Sequence, residues 1–294
     1  MTETSATPIP ATLVKTLRDR TGAGIMACRA ALAETGGDLD AAIERLRDAQ
    51  TTMAAKKADR VALEGLVAIE ASGERGAIVE LNCETDFVAR SDDFRRAVSA
   101  LAPIALATGG RLDALADAPS PDRDGRVADL VTRLSARTGE HVTIRRARAI
   151  AAPGGAVSSY VHNAADGATG TIGVLVALEG PSTALAAIGR QVAMHVAASA
   201  PQWVAAADIP ADVLAEKRAE LHAQAQTSGK PAAVVERMVE GRLRKFTDEV
   251  VLLRQPFIID PDQTVEQALA GASANEPVRV RAFVRYRVGD TMTA

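Results

Sequence analysis

Residues 77–94 read AIVELNCETDFVARSDDF. The Val/Ile/Leu-rich residues 77–81 indicate a β-strand, and Ser91-Asp92-Asp93 is typical of the cap and acidic first turn of a helix. Between these elements, residues 85–88 (TDFV) place an aromatic side chain in a connecting segment, where the chain normally runs over a wet surface. Aromatic residues make up only 3% of the chain, so the position of Phe87 needs a reason.

The strand that precedes Phe87 is the second half of a predicted β-hairpin. Residues 65–70 (GLVAIE) give its first strand, and residues 71–76 (ASGERG) give the turn. Apolar residues at helical spacing then predict a helix over about 92–106. The Ala-, Asp-, Pro- and Gly-rich residues 107–127 indicate a surface loop that leads to a further helix.

A related order of elements occurs further along the chain. Residues 158–162 and 172–178 predict a second hairpin, and residues 184–198 predict a second helix, so a hairpin-plus-helix unit is repeated. The second copy joins strand to helix through residues 179–182 (EGPS) alone, so the topology does not require the extra Asp-Phe-Val of the first copy. Phe87 therefore either caps its own unit or serves a function.

The remaining segments complete the prediction of an α+β fold. Residues 13–47 predict three short helices that can close a small core, and the polar residues 51–60 indicate a helical linker. Residues 211–226 and 231–246 predict an antiparallel helical hairpin. Apolar and basic residues alternate over 277–288, which predicts a half-buried strand.

Composition and charge narrow the classes of partner. The chain has 294 residues, 47% hydrophobic and 24% charged, as expected for a globular protein of two or three domains. A net charge of -3 and a pI of about 5.9 give no basic surface for nucleic acid. Signal-peptide and membrane-spanning patterns are missing, and Cys28 and Cys83 form no CxxC pair. We expect a cytoplasmic protein without direct nucleic-acid or membrane partners.

Motifs that carry chemistry are absent from the sequence. It contains no GxxxxGK[ST] loop, no HExxH motif and no Cys/His metal spacing, and its four histidines are scattered. His195 lies in an apolar helix and is expected to be buried, as is Cys83, while Lys56 and Lys57 are expected to be solvated. The sequence predicts no cofactor, no metal site and no enzymatic activity.

Several motifs occur in the order found in one known family. LRDRTGAGIM at 17–26, NCETDFVAR at 82–90, MHVAA at 194–198, MVEGR at 238–242 and QPFII at 255–259 together resemble bacterial elongation factor Ts. The resemblance implies a ubiquitin-associated-like three-helix domain and a core of two related hairpin-plus-helix subdomains with a projecting helical hairpin. We expect these domains at residues 1–52, 53–150 and 151–294, with the helical hairpin at about 205–250.

The resemblance also implies a function for Phe87. Elongation factor Ts is the guanine nucleotide exchange factor of the GTPase elongation factor Tu, and its Thr-Asp-Phe-Val segment enters the GTPase near the magnesium site. By this resemblance Thr85, Asp86, Phe87 and Val88 bind the partner, with Phe87 as a wedge in an apolar pocket.

Further contacts are implied for the amino-terminal domain. In members of the family, the amino-terminal domain contacts the GTPase through positions matched here by Lys15, Arg18, Ile25 and Met26. The family usually carries two methionines after Thr-Gly-Ala-Gly, and Ile25 replaces the first of them, an apolar exchange that should still pack. We expect one of the two apolar residues to face the three-helix core and the other to face outward.

The second half of the chain supplies the remaining implied contacts. Ile258 and Ile259 match residues that complete the apolar patch, and His162 matches a histidine of a Tyr-x-His-Gly motif. Here Asn163 follows His162, and Thr171 stands where an arginine is common.

Two other functions remain open at this point, an adaptor and an enzyme with unrecognised acid–base residues. The chain could be an adaptor that docks through its ubiquitin-associated-like domain without changing the affinity of a nucleotide. In some members of the family the helical hairpin mediates dimers, so a homodimer through this hairpin is also possible.

Overall fold

The computed structural model describes residues 9–164, 168–227, 230–273 and 276–290. Helices and strands are both abundant, and the predicted α+β class is confirmed. The contacts divide the chain into two compact units. Unit 1 contains the described residues within 1–68, 79–148 and 288–294, and unit 2 contains those within 69–78 and 149–287. The three domain boundaries expected from the sequence stay a prediction.

Unit 1 begins with the three predicted helices, which are α1 (Ala11–Thr21), α2 (Ile25–Glu34) and α3 (Leu39–Ala55). Gly22 ends α1 in the left-handed conformation that glycine adopts without strain. The Asp38 side chain caps α3 by accepting from the N–H groups of Asp40 and Ala41. Apolar side chains from the three helices form one core cluster, which is Val14, Leu17, Cys28, Ala31, Leu32, Ala42, Ile43 and Leu46.

Part of the segment predicted as a linker is the end of α3, which continues to Ala55. The expectation that Lys57 is solvated was wrong. Lys57 is buried, and its Nζ donates to the carbonyl of Ser135 at 3.3 Å. A long aliphatic stem lets a lysine lie against protein while its ammonium group finds an oxygen.

The first hairpin and the elements after it also follow the sequence pattern. They are β1 (Glu64–Ser72), β2 (Arg75–Cys83), α4 (Asp86–Ala89), α5 (Asp92–Ala107), α6 (Leu112–Asp117), α7 (Val127–Thr138) and β3 (Thr143–Ala151). Two details differ from prediction. The Thr-Asp-Phe-Val segment is a single helical turn, and the predicted surface loop over 107–127 contains the short helix α6.

Unit 2 contains the predicted second hairpin and helix. Its next elements are β4 (Ala156–His162), β5 (Thr169–Gly170), β6 (Ile172–Glu179) and α8 (Ser182–Ser199). Strand β4 pairs antiparallel with β6, from Ala156 opposite Leu178 to His162 opposite Ile172. Buried residues of β6 and α8 form the main core cluster of this unit, and this cluster includes Val174, Val176, Val192 and Val196.

The helical hairpin consists of α9 (Ala211–Gln226) and α10 (Ala232–Val250). Leu221 and Ala225 of α9 pack with Val235 and Val239 of α10. The predicted turn between the helices includes residues 228–229, which lie outside the described part of the chain.

The last elements are β7 (Pro256–Phe257), β8 (Asp260–Thr264), α11 (Val265–Gly271) and β9 (Arg279–Arg287). Strand β9 confirms the predicted tail strand and pairs antiparallel with β6. In the described part of the chain the strands form three sheets, ordered β3-β2-β1-β5, β4-β6-β9 and β7-β8. Among the described residues, no helix combines the length and the apolar character needed to cross a membrane.

Candidate functional site

Phe87 is the most exposed large apolar side chain among the described residues, with 84% of its surface open to solvent. It is the second residue of α4, the one-turn helix between β2 and α5. This exposure excludes the alternative in which Phe87 caps its own unit. Because a solvent-exposed phenylalanine forgoes the stabilisation of burial, its position favours a role in contacting another molecule.

The backbone of α4 is held in a defined helical turn. The N–H of Ala89 donates to the Thr85 carbonyl at 3.2 Å, and the N–H of Arg90 donates to the Asp86 carbonyl at 3.0 Å. The Thr85 hydroxyl caps the turn through a long hydrogen bond of 3.4 Å from the N–H of Val88. Asp86 Oδ2 lies 2.9 Å from Arg90 Nη2, an exposed pair that contributes only about 0.3–0.5 kcal/mol.

Glu140, in the connection between α7 and β3, binds the residues in front of α4. Its Oε2 accepts from the backbone N–H groups of Glu84 and Thr85, both at 3.0 Å. Its Oε1 accepts from the Thr85 hydroxyl at 2.5 Å. Sequence reasoning missed this residue, because Glu140 follows a helix-ending glycine in a polar segment that carries no pattern pointing to Thr85.

The residues that flank α4 in the chain include two buried apolar side chains. Cys83, at the end of β2, and Phe94, in the first turn of α5, are both fully buried, as was expected for Cys83. Burial raises the pKa of the Cys83 thiol to about 12, and the thiol donates to the Thr85 carbonyl at 3.2 Å. A thiol with this pKa is not a nucleophile at neutral pH, so Cys83 has a packing role.

Ile25 and Met26 open α2, and both are exposed, Ile25 by 55% and Met26 by 75%. The expectation that one of them faces the core was wrong. Cys28 and Leu32 fill the core side of α2, at the i, i+4 spacing that puts two side chains on one helix face. Two adjacent apolar side chains are therefore presented to solvent.

Lys15 and Arg18 lie on α1 and are exposed. Their spacing of three residues places them on neighbouring turns of one helix face. Each of these two cations could meet a carboxylate of a partner.

Ile258 and Ile259 occupy the two-residue tip of the β7–β8 hairpin, since Phe257 pairs with Asp260. Both isoleucines are about half exposed. Hairpin tips of this length normally carry Gly, Asn or Asp, so two β-branched apolar residues there are unusual and favour a contact surface.

His195 of α8 holds this tip from inside unit 2. The ring is fully buried, as expected, and its Nδ1 accepts from the N–H of Ile258 at 3.2 Å. Its Nε2 lies 2.8 Å from Gln255 Oε1 and therefore carries the proton. Burial lowers the pKa of His195, and the hydrogen bond to Gln255 offsets part of this effect.

His162 lies at the exposed end of β4 in unit 2. Its Nδ1 is 3.1 Å from the Tyr160 hydroxyl. The guanidinium of Arg190 lies 6.0 Å from the centre of the Tyr160 ring, so His162 belongs to a small polar and aromatic surface.

The predicted site residues therefore fall in both units. Unit 1 carries Thr85 to Val88 and the α1–α2 residues, and unit 2 carries His162 and the Ile258–Ile259 tip. Within the described ranges, His, Cys, Asp and Glu side chains form no group of three that could hold a metal ion. In each unit taken by itself, the exposed apolar residues are suited to binding a protein surface.

Comparison with known proteins shows the family of this chain. The family model described as "Elongation factor TS" matches residues 84–290. Elongation factor Ts of Maricaulis maris is 49% identical over 290 residues, which cover 96% of this chain and 92% of the relative. Elongation factor Ts of Parvibaculum lavamentivorans is 46% identical, covering 96% and 93%, and that of Agrobacterium fabrum is 46% identical, covering 97% and 94%. The chain belongs to the elongation factor Ts family.

Proposed function

We propose that this chain is a guanine nucleotide exchange factor that binds elongation factor Tu with GDP, disturbs its magnesium and phosphate site, and promotes GDP release during translation elongation. The observation that carries the proposal is the exposed Phe87 on the hydrogen-bonded turn α4. Family membership supports the identity of the partner.

In this proposal Phe87 enters an apolar pocket of the GTPase, with Thr85, Asp86 and Val88 beside it. Magnesium requires near-octahedral geometry and takes few ligands from protein, so small displacements around it weaken its binding. A wedge near the metal could therefore loosen GDP without contacting the guanine base.

Phe87 cannot supply the required free energy alone. Burying its side chain contributes about 1.5–3 kcal/mol. A nucleotide held with nanomolar affinity is bound by about 12 kcal/mol. Other contacts must supply the rest, and we assign them to Lys15, Arg18, Ile25 and Met26 in unit 1 and to His162, Ile258 and Ile259 in unit 2.

The coupling between the two ligands of the GTPase is reciprocal. If this chain weakens the binding of GDP, then bound nucleotide must weaken the binding of this chain by the same factor. An incoming nucleotide therefore expels the factor, and one copy can act on many GTPase molecules. This cycle changes no covalent bond, so the chain is not an enzyme in the chemical sense.

Release of a fluorescent GDP analogue from elongation factor Tu tests the proposal. The wild-type chain should accelerate release, and Phe87→Ala should reduce this effect about tenfold or more, because losing about 1.5–3 kcal/mol changes a rate by at least that factor. Leu112→Ala is the matched control, since Leu112 is also exposed and is not assigned to the interface. It should behave as the wild type.

Two results would contradict the proposal in different ways. If the wild-type chain leaves GDP release unchanged although it binds the GTPase, the adaptor alternative is correct. If the wild-type chain accelerates release and Phe87→Ala is equally active, the chain is an exchange factor but Phe87 is not its wedge.

The homodimer through α9 and α10 stays a prediction. The described apolar residues of this hairpin that pack with one another, Leu221, Ala225, Val235 and Val239, are buried within it. The large apolar side chains that the structure shows as exposed lie outside α9 and α10. A dimer there would have to form without a large, fully exposed apolar side chain, and sedimentation equilibrium would detect it.

A further inference from the structure

In unit 1, residues 84–85 and residues 140–141 are linked by hydrogen bonds to two carboxylates, one from each segment. Glu140 accepts three hydrogen bonds from Glu84 and Thr85, as described above. In return, Glu84 Oε1 accepts from the backbone N–H of His141 at 2.6 Å and lies 3.3 Å from Arg60 Nη1. The hydrogen bond from His141 is the main reason that the pKa of Glu84 is lowered. Hydrogen bonds to ionised acceptors are stronger than those between neutral groups.

The Thr85 hydroxyl connects this link to α4. A hydroxyl has one proton and two lone pairs, so donating to Glu140 Oε1 leaves Thr85 Oγ1 free to accept from the N–H of Val88. Glu140 therefore orients the group that caps the turn. Without Glu140 as acceptor, the Thr85 hydroxyl can rotate. The long hydrogen bond from the N–H of Val88 then loses its oriented acceptor.

Packing does little to hold the turn, since Ala89 is the one buried residue of α4. Helix α4 has four residues, and an isolated helix of this length is unstable because nucleation is unfavourable. Phe87 is almost fully exposed and so does not anchor the turn by packing. The direction in which its ring points is consequently set by the backbone, which the hydrogen bonds of Glu140 hold at its start.

We propose that Glu140 is a positioning residue for exchange, which pre-orders α4 so that Phe87 meets the GTPase without a further loss of conformational freedom. The inference rests on the proposed function. Glu140 acts through Phe87, and it need not contact the partner. Pre-ordering of this kind increases affinity because the cost of ordering a binding segment is met before the encounter.

A double-mutant cycle tests whether Glu140 acts through Phe87. GDP release from elongation factor Tu is measured with the wild type, Glu140→Ala, Phe87→Ala and the double variant. Glu140→Ala should slow release about tenfold in the wild-type background, which corresponds to about 1.4 kcal/mol. It should add almost nothing to Phe87→Ala, because the side chain that it positions is then absent.

Equal effects of Glu140→Ala in the two backgrounds would overturn the inference while leaving the exchange function intact. If the wild-type chain fails to accelerate release, the proposed function itself fails. Glu140→Gln serves as a milder variant should Glu140→Ala unfold. It keeps one side-chain oxygen as acceptor and should give a smaller loss that again disappears without Phe87.

Hydrogen–deuterium exchange on the free protein gives a readout that does not depend on the GTPase. Glu140→Ala should speed exchange of the amides of residues 84–90 at least several-fold and leave the amides of α1 and α2 unchanged. Unaltered exchange over residues 84–90 would overturn the inference, because α4 would then be ordered without Glu140. Faster exchange spread over all of unit 1 would also overturn it, since Glu140 would then support the fold as a whole.

Discussion

Lowering the pH from 7.5 to 5.5 should weaken the folded state through His195. In the folded chain the neutral ring accepts from Ile258 and donates to Gln255, and an imidazolium has no lone pair for Ile258. Burial lowers the folded-state pKa of His195 below its ordinary value of 6.5. As the pH falls, the unfolded chain therefore binds the proton first. This binding stabilises the unfolded state relative to the folded state.

The sign and size of the effect follow from linkage. The stability that depends on neutral His195 is complete above about pH 6.5 and is lost as the pH falls towards and through the lower folded-state value. Within that window the free energy of unfolding falls by up to about 1.4 kcal/mol per pH unit. Over the interval from 7.5 to 5.5 this residue can lower the free energy of unfolding by at most about 1.4 kcal/mol.

Urea unfolding at the two pH values measures this loss. His195→Gln keeps a donor for Gln255 and cannot titrate, so its free energy of unfolding should fall less than that of the wild type, by a difference of at most about 1.4 kcal/mol. His222→Gln is the control, because His222 is partly exposed and pairs with Glu236 at 3.1 Å. An equal fall in the wild type and His195→Gln would refute the assignment of His195 as a buried neutral ring.

Two further predictions concern the interior of unit 1. Cys28 and Cys83 are both buried with raised pKa values, so at pH 7.5 a thiol reagent should label neither until denaturant is added; rapid labelling of the native protein would contradict their burial. Gly65→Ala should lower the free energy of unfolding by more than about 2 kcal/mol. Gly65 has φ +151°, and a Cβ there would lie 2.2 Å from the Leu81 carbonyl oxygen. Gly73 has φ +58° and open space around it, so Gly73→Ala should lower the free energy of unfolding by only about 1–2 kcal/mol. Thermal unfolding of both variants measures the two losses, and equal losses would refute the steric argument.

The sequence predicts most of the secondary structure because the signals are local. Helical spacing of apolar residues and the glycines between the segments locate α1, α2 and α3, and short Val/Ile/Leu-rich runs locate both hairpins. The motif at residues 82–90 likewise locates the exposed phenylalanine.

Local signals fail where a residue depends on a distant partner. The turn α4 is too short to show a period, and it is held by Glu140, which lies 55 residues from Thr85 in the chain. Lys57 sits in a basic and polar segment, yet its buried position depends on the Ser135 carbonyl, 78 residues away. Such pairings depend on tertiary structure and leave no periodic pattern in the sequence.

The outward position of both Ile25 and Met26 has a different cause. Their apolar character predicts burial of at least one, and the spacing of Ile25 to Cys28 permits it. The three-helix core is already closed by Cys28, Leu32 and the facing side chains of α1 and α3. Hydrophobicity alone does not distinguish a residue that fills a core from one that is kept exposed for a partner.

The pairing of β6 with β9 has a consequence for how the chain is made. Glu179 of β6 lies opposite Arg279 of β9, so β6 leaves the ribosome roughly 100 residues before its partner strand. Since synthesis adds about 5–20 residues per second, one edge of this apolar strand stays unpaired for roughly 5–20 s. Helices α1 to α3 contact one another over short separations and can fold meanwhile. During synthesis the open edge of β6 can therefore pair with another chain until β9 emerges and covers it.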